Sequence, residues 1–145
     1  MPDRILTWAG RLRLRDLGGL RTADGRTTRF GALIRGDTPQ RLTPAGWEAL
    51  HAYGVRTIIR LLTDGMDETE WDFTPPYADI TLVRAPIEDF TDREFLEKWV
   101  VTELWGTPLY FADAFRRWPA QHAAVISAVA RAQPGGVLFH CIRGF

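Results

Sequence analysis

Apolar and polar positions alternate in short bursts along this chain, and the period of alternation changes from one burst to the next. In residues 11–36, RLRLRDLGGLRTADGRTTRFGALIRG, the bursts are punctuated by Gly18-Gly19 and Asp24-Gly25. Asp-Gly is a strong turn signal, so this stretch predicts short strands joined by a turn. Thr43-Pro44 predicts a helix start, an N-cap hydroxyl followed by proline at the first helical position. Trp47, Leu50 and His51 recur at helical spacing, and Gly54 supplies the stop. Residues 55–62, VRTIIRLL, are β-branched and mostly apolar, the pattern of a strand buried on both faces. Residues 63–78 are acidic and proline-bearing and predict a loop, and 80–83 predict another short strand. Thr91 with Glu94 matches the capping-box pattern, so a helix is expected over about 92–104. Gly106-Thr107-Pro108 breaks it and 109–117 resume it. Pro119 interrupts again before 120–132, whose Ala, Val and Ile fall at helical spacing. Residues 137–139 are the last strand. Strands alternating with helices predict a three-layer α/β fold, with a mainly parallel central sheet flanked by helices.

Composition narrows the setting. The 145 residues are the length of one domain, 46% of them are hydrophobic and six are tryptophan. No repeat or linker divides them, so residues 1–145 are expected to form a single domain. Formal net charge is zero, which gives no electrostatic reason to expect a nucleic-acid partner. Lys98 is the sole lysine, and the other cations are arginines suited to bidentate anion binding. No run approaches the roughly 18 apolar residues of a membrane span, and the N-terminus lacks a signal-peptide core. A cytoplasmic protein is expected. His51, His122 and His140 lack paired ligand spacing, so no metal and no cofactor are expected.

Cys141 is the only cysteine, which excludes an internal disulfide framework. It stands just past the apolar run of the last strand, in VLFHCIRGF. In parallel α/β sheets, ligands bind outside the carboxyl ends of the strands. A tight loop and a helix after Cys141 would surround its sulfur with backbone N–H groups, lowering the thiol pKa and cradling an anion. Gly144 suits a loop that lets backbone approach a ligand. A lone cysteine is also commonly a small buried hydrophobe, and position alone leaves the two readings open.

The string FHCIRG resembles the start of the HCxxGxxR loop of cysteine-dependent phosphatases. RDLGG, the Arg35-Gly36-Asp37 segment and TPAGW follow in the order found in bacterial tyrosine phosphatases whose loop reads HCxxGxDRTG. That group includes mycobacterial tyrosine phosphatase B, and the likeness runs from about residue 12 to 145. The resemblance implies a metal-free phosphomonoesterase in which the cysteine attacks phosphorus and forms a cysteinyl-phosphate that water hydrolyses. Backbone amides and an arginine stabilise the equatorial oxygens. Carried over, Cys141 is the nucleophile. His140, Cys141, Ile142, Arg143, Gly144 and Phe145 form the first part of the phosphate loop, and His140 helps to hold it. The general acid belongs on a loop after the strand at 80–83. Asp89 is the choice, with Glu88 and Asp92 as alternatives, and Asp92 is also explained as a first-turn helix charge. Arg15, Asp16 and Arg35 match family-typical positions and are expected to support the site by ion pairs. Gly18 and Gly19 are read as turn residues.

The sequence also departs from the family pattern. The family's arginine, six residues past the cysteine, falls beyond Phe145. Residues 1–145 alone are therefore expected to be inactive, and a complementary C-terminal segment or second chain becomes a possible partner. A catalytically inactive phosphate-binding module is the alternative reading, and a rhodanese-like sulfurtransferase has no counterpart to RDLGG. Where relatives tend to read DLR, this chain reads Arg60-Leu61-Leu62. Phe145 stands where relatives with phosphoinositide activity carry lysine, which leaves a phosphotyrosine protein or another phosphomonoester as the expected substrate.

Overall fold

The computed structural model describes residues 3–10 and 13–142. Its strands are β1 (Ile5–Leu6), β2 (Leu14–Asp16), β3 (Leu33–Gly36), β4 (Val55–Asp64), β5 (Thr81–Asp89) and β6 (Gly136–His140). They form one sheet in the order β1-β2-β3-β6-β4-β5. The four strands from β3 to β5 run parallel, and β1 and β2 add an antiparallel edge. The helices are α1 (Pro44–Ala52), α2 (Arg93–Val101), α3 (Pro108–Arg117) and α4 (Pro119–Ala130). This is the mostly parallel α/β arrangement that the alternation of periods predicts.

The sheet is covered differently on its two faces. On one face Leu14, Ile34, Ile58 and Leu138 pack with Trp47 and Leu50 of α1. On the other, Ile59, Ala85 and Val137 meet Val125, Ala128 and Val129 of α4. The β-branched run of β4 reads as a two-sided strand because it has a partner layer on each side. α1 begins where expected: Thr43 accepts the Gly46 N–H at 3.2 Å and Pro44 follows. Gly46 carries hydrogen at Cα for a steric reason, since a Cβ there would lie 2.1 Å from the Ala9 carbonyl oxygen.

Several boundaries differ from those read in the sequence. β1 was not anticipated, and at two residues it is too short to show an alternation. β5 runs on to Asp89 because its pairing with β4 continues through Leu62↔Pro86 and Thr63↔Glu88. Proline is tolerated there because β5 is an edge strand and leaves no second ladder short of a donor. The span 63–78 is not all loop: β4 extends to Asp64, and a single 3₁₀ turn covers Thr69–Trp71. α2 is capped by Asp92, not Thr91: Asp92 accepts the Phe95 N–H at 3.2 Å, while the Thr91 hydroxyl donates to Asp89 at 2.6 Å. It ends at Val101 instead of running on to 104, and Glu103 sits in the left-handed region at φ 54°.

The connection between β5 and β6 contains a small core of its own. Phe95 and Trp99 of α2, Tyr110 and Ala114 of α3, and Trp118 form a cluster that shares no residue with the two sheet clusters. Phe95 and Trp118 come closest, with ring centroids 4.5 Å apart and the planes tilted by 59°.

Candidate active site

The carboxyl ends of β3, β6 and β4 lie side by side, and Cys141 leaves the middle one. Gly36 and Arg60 flank His140 in register. Past that level the two sides of β6 differ. On one side β3 ends at Gly36, and Asp37 and Thr38 turn away. On the other, β4 and β5 continue to Asp64 and Asp89. Cys141 thus emerges at the foot of a two-stranded wall that rises about four residues, or roughly 13 Å, above it.

His140 and Cys141 are built into that floor. The Nδ1 atom of His140 lies 2.9 Å from the carbonyl oxygen of Cys141. A carbonyl only accepts, so Nδ1 carries the hydrogen and Nε2 is the bare nitrogen. The ring is 2% exposed. Nε2 has no partner among the described residues. Burial pushes the imidazole pKa down to about 4, and the Arg60 guanidinium pushes in the same direction. His140 is therefore neutral at physiological pH. Cys141 is half-buried and forms no disulfide. The carbonyl of the next residue, Ile142, accepts the Thr38 N–H at 3.4 Å, which ties the start of the loop to the end of β3. Arg143, Gly144 and Phe145, expected in the phosphate loop, lie outside the described residues.

The three acids proposed for proton transfer are distinct in setting. Asp89 ends β5 at the tip of the wall, on the same edge of the sheet as Cys141 and two strands away. Its Oδ1 accepts the Thr91 N–H at 2.8 Å and the Thr91 hydroxyl at 2.6 Å. Oδ2 enters neither bond. Glu88 accepts from the Thr63 hydroxyl at 3.3 Å. Asp92 is the α2 cap and pairs with Arg117 at 2.6 Å. Arg117 hydrogen-bonds that carboxyl and holds its pKa below the usual range. A strong ion pair in a capping position suits a carboxylate that stays ionised and stays put.

Arg15, Asp16 and Arg35 are not one constellation. Arg15 and Arg35 face each other across β2 and β3. Asp16 points to the opposite face and is fully buried. Its carboxylate accepts Gly18 N–H at 2.6 Å, Gly31 N–H at 2.7 Å and the Tyr53 hydroxyl at 2.6 Å. Gly31 and Tyr53 stand at the amino end of the sheet. Asp16 therefore welds the turn after β2 to the start of β3 and the end of α1, away from Cys141. Among the described residues no ion pair runs through it.

Sequence reading missed the role of a buried charge beside the cysteine's strand. Arg60, on β4 beside His140, is 2% exposed. It pairs with Asp72, donates to the Glu68 carbonyl at 2.8 Å and lies 3.6 Å from the Glu68 carboxylate. Arg84 reaches the same Asp72 at 2.8 Å. The available signal was the second arginine of VRTIIRLL, set directly between Ile59 and Leu61, since an arginine is rarely buried unless paired.

The sequence matches the description "Tyrosine phosphatase family" over residues 6–144. No curated protein matches the chain.

Proposed function

Because the chain belongs to the tyrosine phosphatase family, we propose that it hydrolyses phosphomonoesters, phosphotyrosine foremost, through a cysteinyl-phosphate. Membership supports phosphatase activity, and the residue roles are our reading of the site. The observation that carries them is the position of Cys141, at the carboxyl end of a central strand, on a loop whose first turn is tied down by His140 and by Thr38. FHCIRG and its agreement with the HCxxGxDRTG group support the same roles.

In this reading the Cys141 thiolate attacks phosphorus in line. The P–S bond forms as the P–O bond to the leaving group breaks. Asp89 gives its proton to the departing oxygen through the carboxyl edge that faces away from Thr91. Water then attacks the cysteinyl-phosphate. Asp89 takes a proton from that water, and the P–S bond breaks to return thiolate and inorganic phosphate. Backbone N–H groups of the loop that Cys141 opens hold the equatorial oxygens. Neutral His140 orients the Cys141 carbonyl.

The test is turnover of p-nitrophenyl phosphate by the intact protein, with and without chelator. Activity should persist in chelator and vanish in Cys141→Ser, while the serine variant still binds tungstate. Chelator-sensitive activity, or full activity in the serine variant, rejects the mechanism.

A further inference from the structure

Arg60 stands where an apolar strand has no local need of a charge, and three observations give it a task. It is in register with His140 on the neighbouring strand. Alternation places both side chains on the α1 face, continuing the column of Ile58 and Leu138. Both are 2% exposed, so neither ring nor guanidinium is relieved by solvent.

The second observation is what Arg60 grips. Its fork spans Asp72 and both the carbonyl and carboxylate of Glu68. Glu68 in turn accepts the Thr63 N–H at 3.1 Å. The segment 68–73 is pinned from the other side as well: Gln40 donates to the Glu70 carbonyl at 2.8 Å, and Arg41 lies over the Trp71 ring at 5.5 Å. A loop rich in acid and proline is thereby laid flat against the sheet.

The third is what the segment carries. Phe73 follows Asp72 directly and packs against the His140 ring at 5.6 Å and against Trp47 of α1 at 6.0 Å. Among the described residues, the groups around His140 are then these. β3 contributes Gly36 without a side chain, with Asp37 just beyond. β4 contributes Arg60, α1 only uncharged Trp47, and the segment Phe73 with Glu68 and Asp72 held on Arg60. No carboxylate among these accepts from Nε2. The imidazole packs on an aromatic ring beside a cation's strand position, and among the described residues its one hydrogen bond is to the Cys141 carbonyl.

We propose that Arg60 is a positioning residue for the phosphate loop: by clamping Glu68 and Asp72 it seats Phe73 on His140, and the ring so held sets the Cys141 carbonyl and the first turn of the loop. The inference rests on the catalytic reading of Cys141 for its effect on rate, but the geometry it asserts has a readout without turnover. The device also accounts for the departure from DLR noted in the sequence. The acid at the first of those positions has become a base, and its partners come from the segment 68–72 instead.

The experiment compares the intact wild-type protein with Arg60→Met, Arg60→Lys and Asp72→Asn. The ring nitrogens of His140 are followed by ¹⁵N NMR, alongside melting and the kinetics of p-nitrophenyl phosphate. Wild type should show one tautomer, with hydrogen on Nδ1. Arg60→Met should mix the tautomers and move the ring's titration up toward the ordinary histidine value. Its kcat should fall about 10- to 100-fold with a smaller change in KM, as a displaced loop demands. Arg60→Lys should rescue little, because a point charge cannot span two partners. Asp72→Asn should shift both readings in the same direction by less. A wild-type ring with hydrogen on Nε2 overturns the proposal. So does a folded Arg60→Met with unchanged ring and unchanged kcat. If Arg60→Met does not melt cooperatively, Asp72→Asn decides by the same two readings, since the Asp72 side chain is 44% exposed where Arg60 is 2%. Absence of turnover in the wild type would defeat the phosphatase reading, and the ring nitrogens would still decide this one.

Discussion

Asp89 and Asp92 stand three residues apart and are committed to different work. Asp92 caps α2 and is locked to Arg117, so its replacement should act on stability. Asp89 is held at one oxygen by Thr91. Asp89→Asn is expected to slow alkyl phosphate hydrolysis about 10²-fold and activated aryl phosphates far less, because only a basic leaving group needs the proton. Asp92→Asn should lower the melting temperature and leave that ratio of substrates unchanged. A leaving-group series on both variants checks this, and the opposite assignment would follow if Asp92→Asn alone changed the ratio. The sequence pointed to the strand end that carries Cys141 because an apolar run stopping at His-Cys is local information. It could not place Asp16, whose partners Gly31 and Tyr53 are 15 and 37 residues away. Nor could it show that Arg60 is buried, which depends on Asp72 folding back.

At the scale of elements, α1 was legible to the residue because its signals are chemical and short-range: a threonine hydroxyl, a proline and a glycine. β5 was cut short because Pro86 reads as a breaker until its strand is known to lie at an edge. The same helix offers a test of packing against propensity. Gly46→Ala should favour the helix intrinsically by up to about 1 kcal/mol. The new methyl group would collide with the Ala9 carbonyl and the Leu42 side chain, at 2.1 and 2.7 Å. The backbone contact cannot yield by a rotamer change, so a net loss of about 1–3 kcal/mol is expected. Urea unfolding measures it. A stabilised Gly46→Ala would mean that the N-terminal segment does not lie on α1.

For the molecule as a whole, the fold moves ionisation in separable pH windows. His140 is held at about 4 against 6.5 in an unfolded chain. Between those values the unfolded chain binds the proton and the folded one does not, so stability falls as pH drops from 6.5 to 4. The difference amounts to about 3 kcal/mol. His140→Gln should flatten that limb of the stability–pH curve. Asp72, Asp92 and Asp113 are lowered by hydrogen-bonded arginine or lysine side chains and Asp79 by its hydrogen bond to His51; their contributions are present above the ordinary carboxylate range and disappear only below it. Burial, with Asp16 beside it, raises Tyr53 to about 12, so its contribution is lost between 10 and 12 on the alkaline side. The aromatic cluster of α2 and α3 divides the molecule in another way. Trp99, Trp105 and Trp118 sit in that hairpin, while Trp8, Trp47 and Trp71 lie against α1, the sheet and the segment over it. A cluster with few ties to the main core opens at lower free energy than the strands. Its indoles should therefore change emission before the far-ultraviolet ellipticity of the sheet is lost. The protein then carries two optical clocks in one chain, and the interval between them in a denaturant series measures how loosely the hairpin is coupled to the strands beneath it.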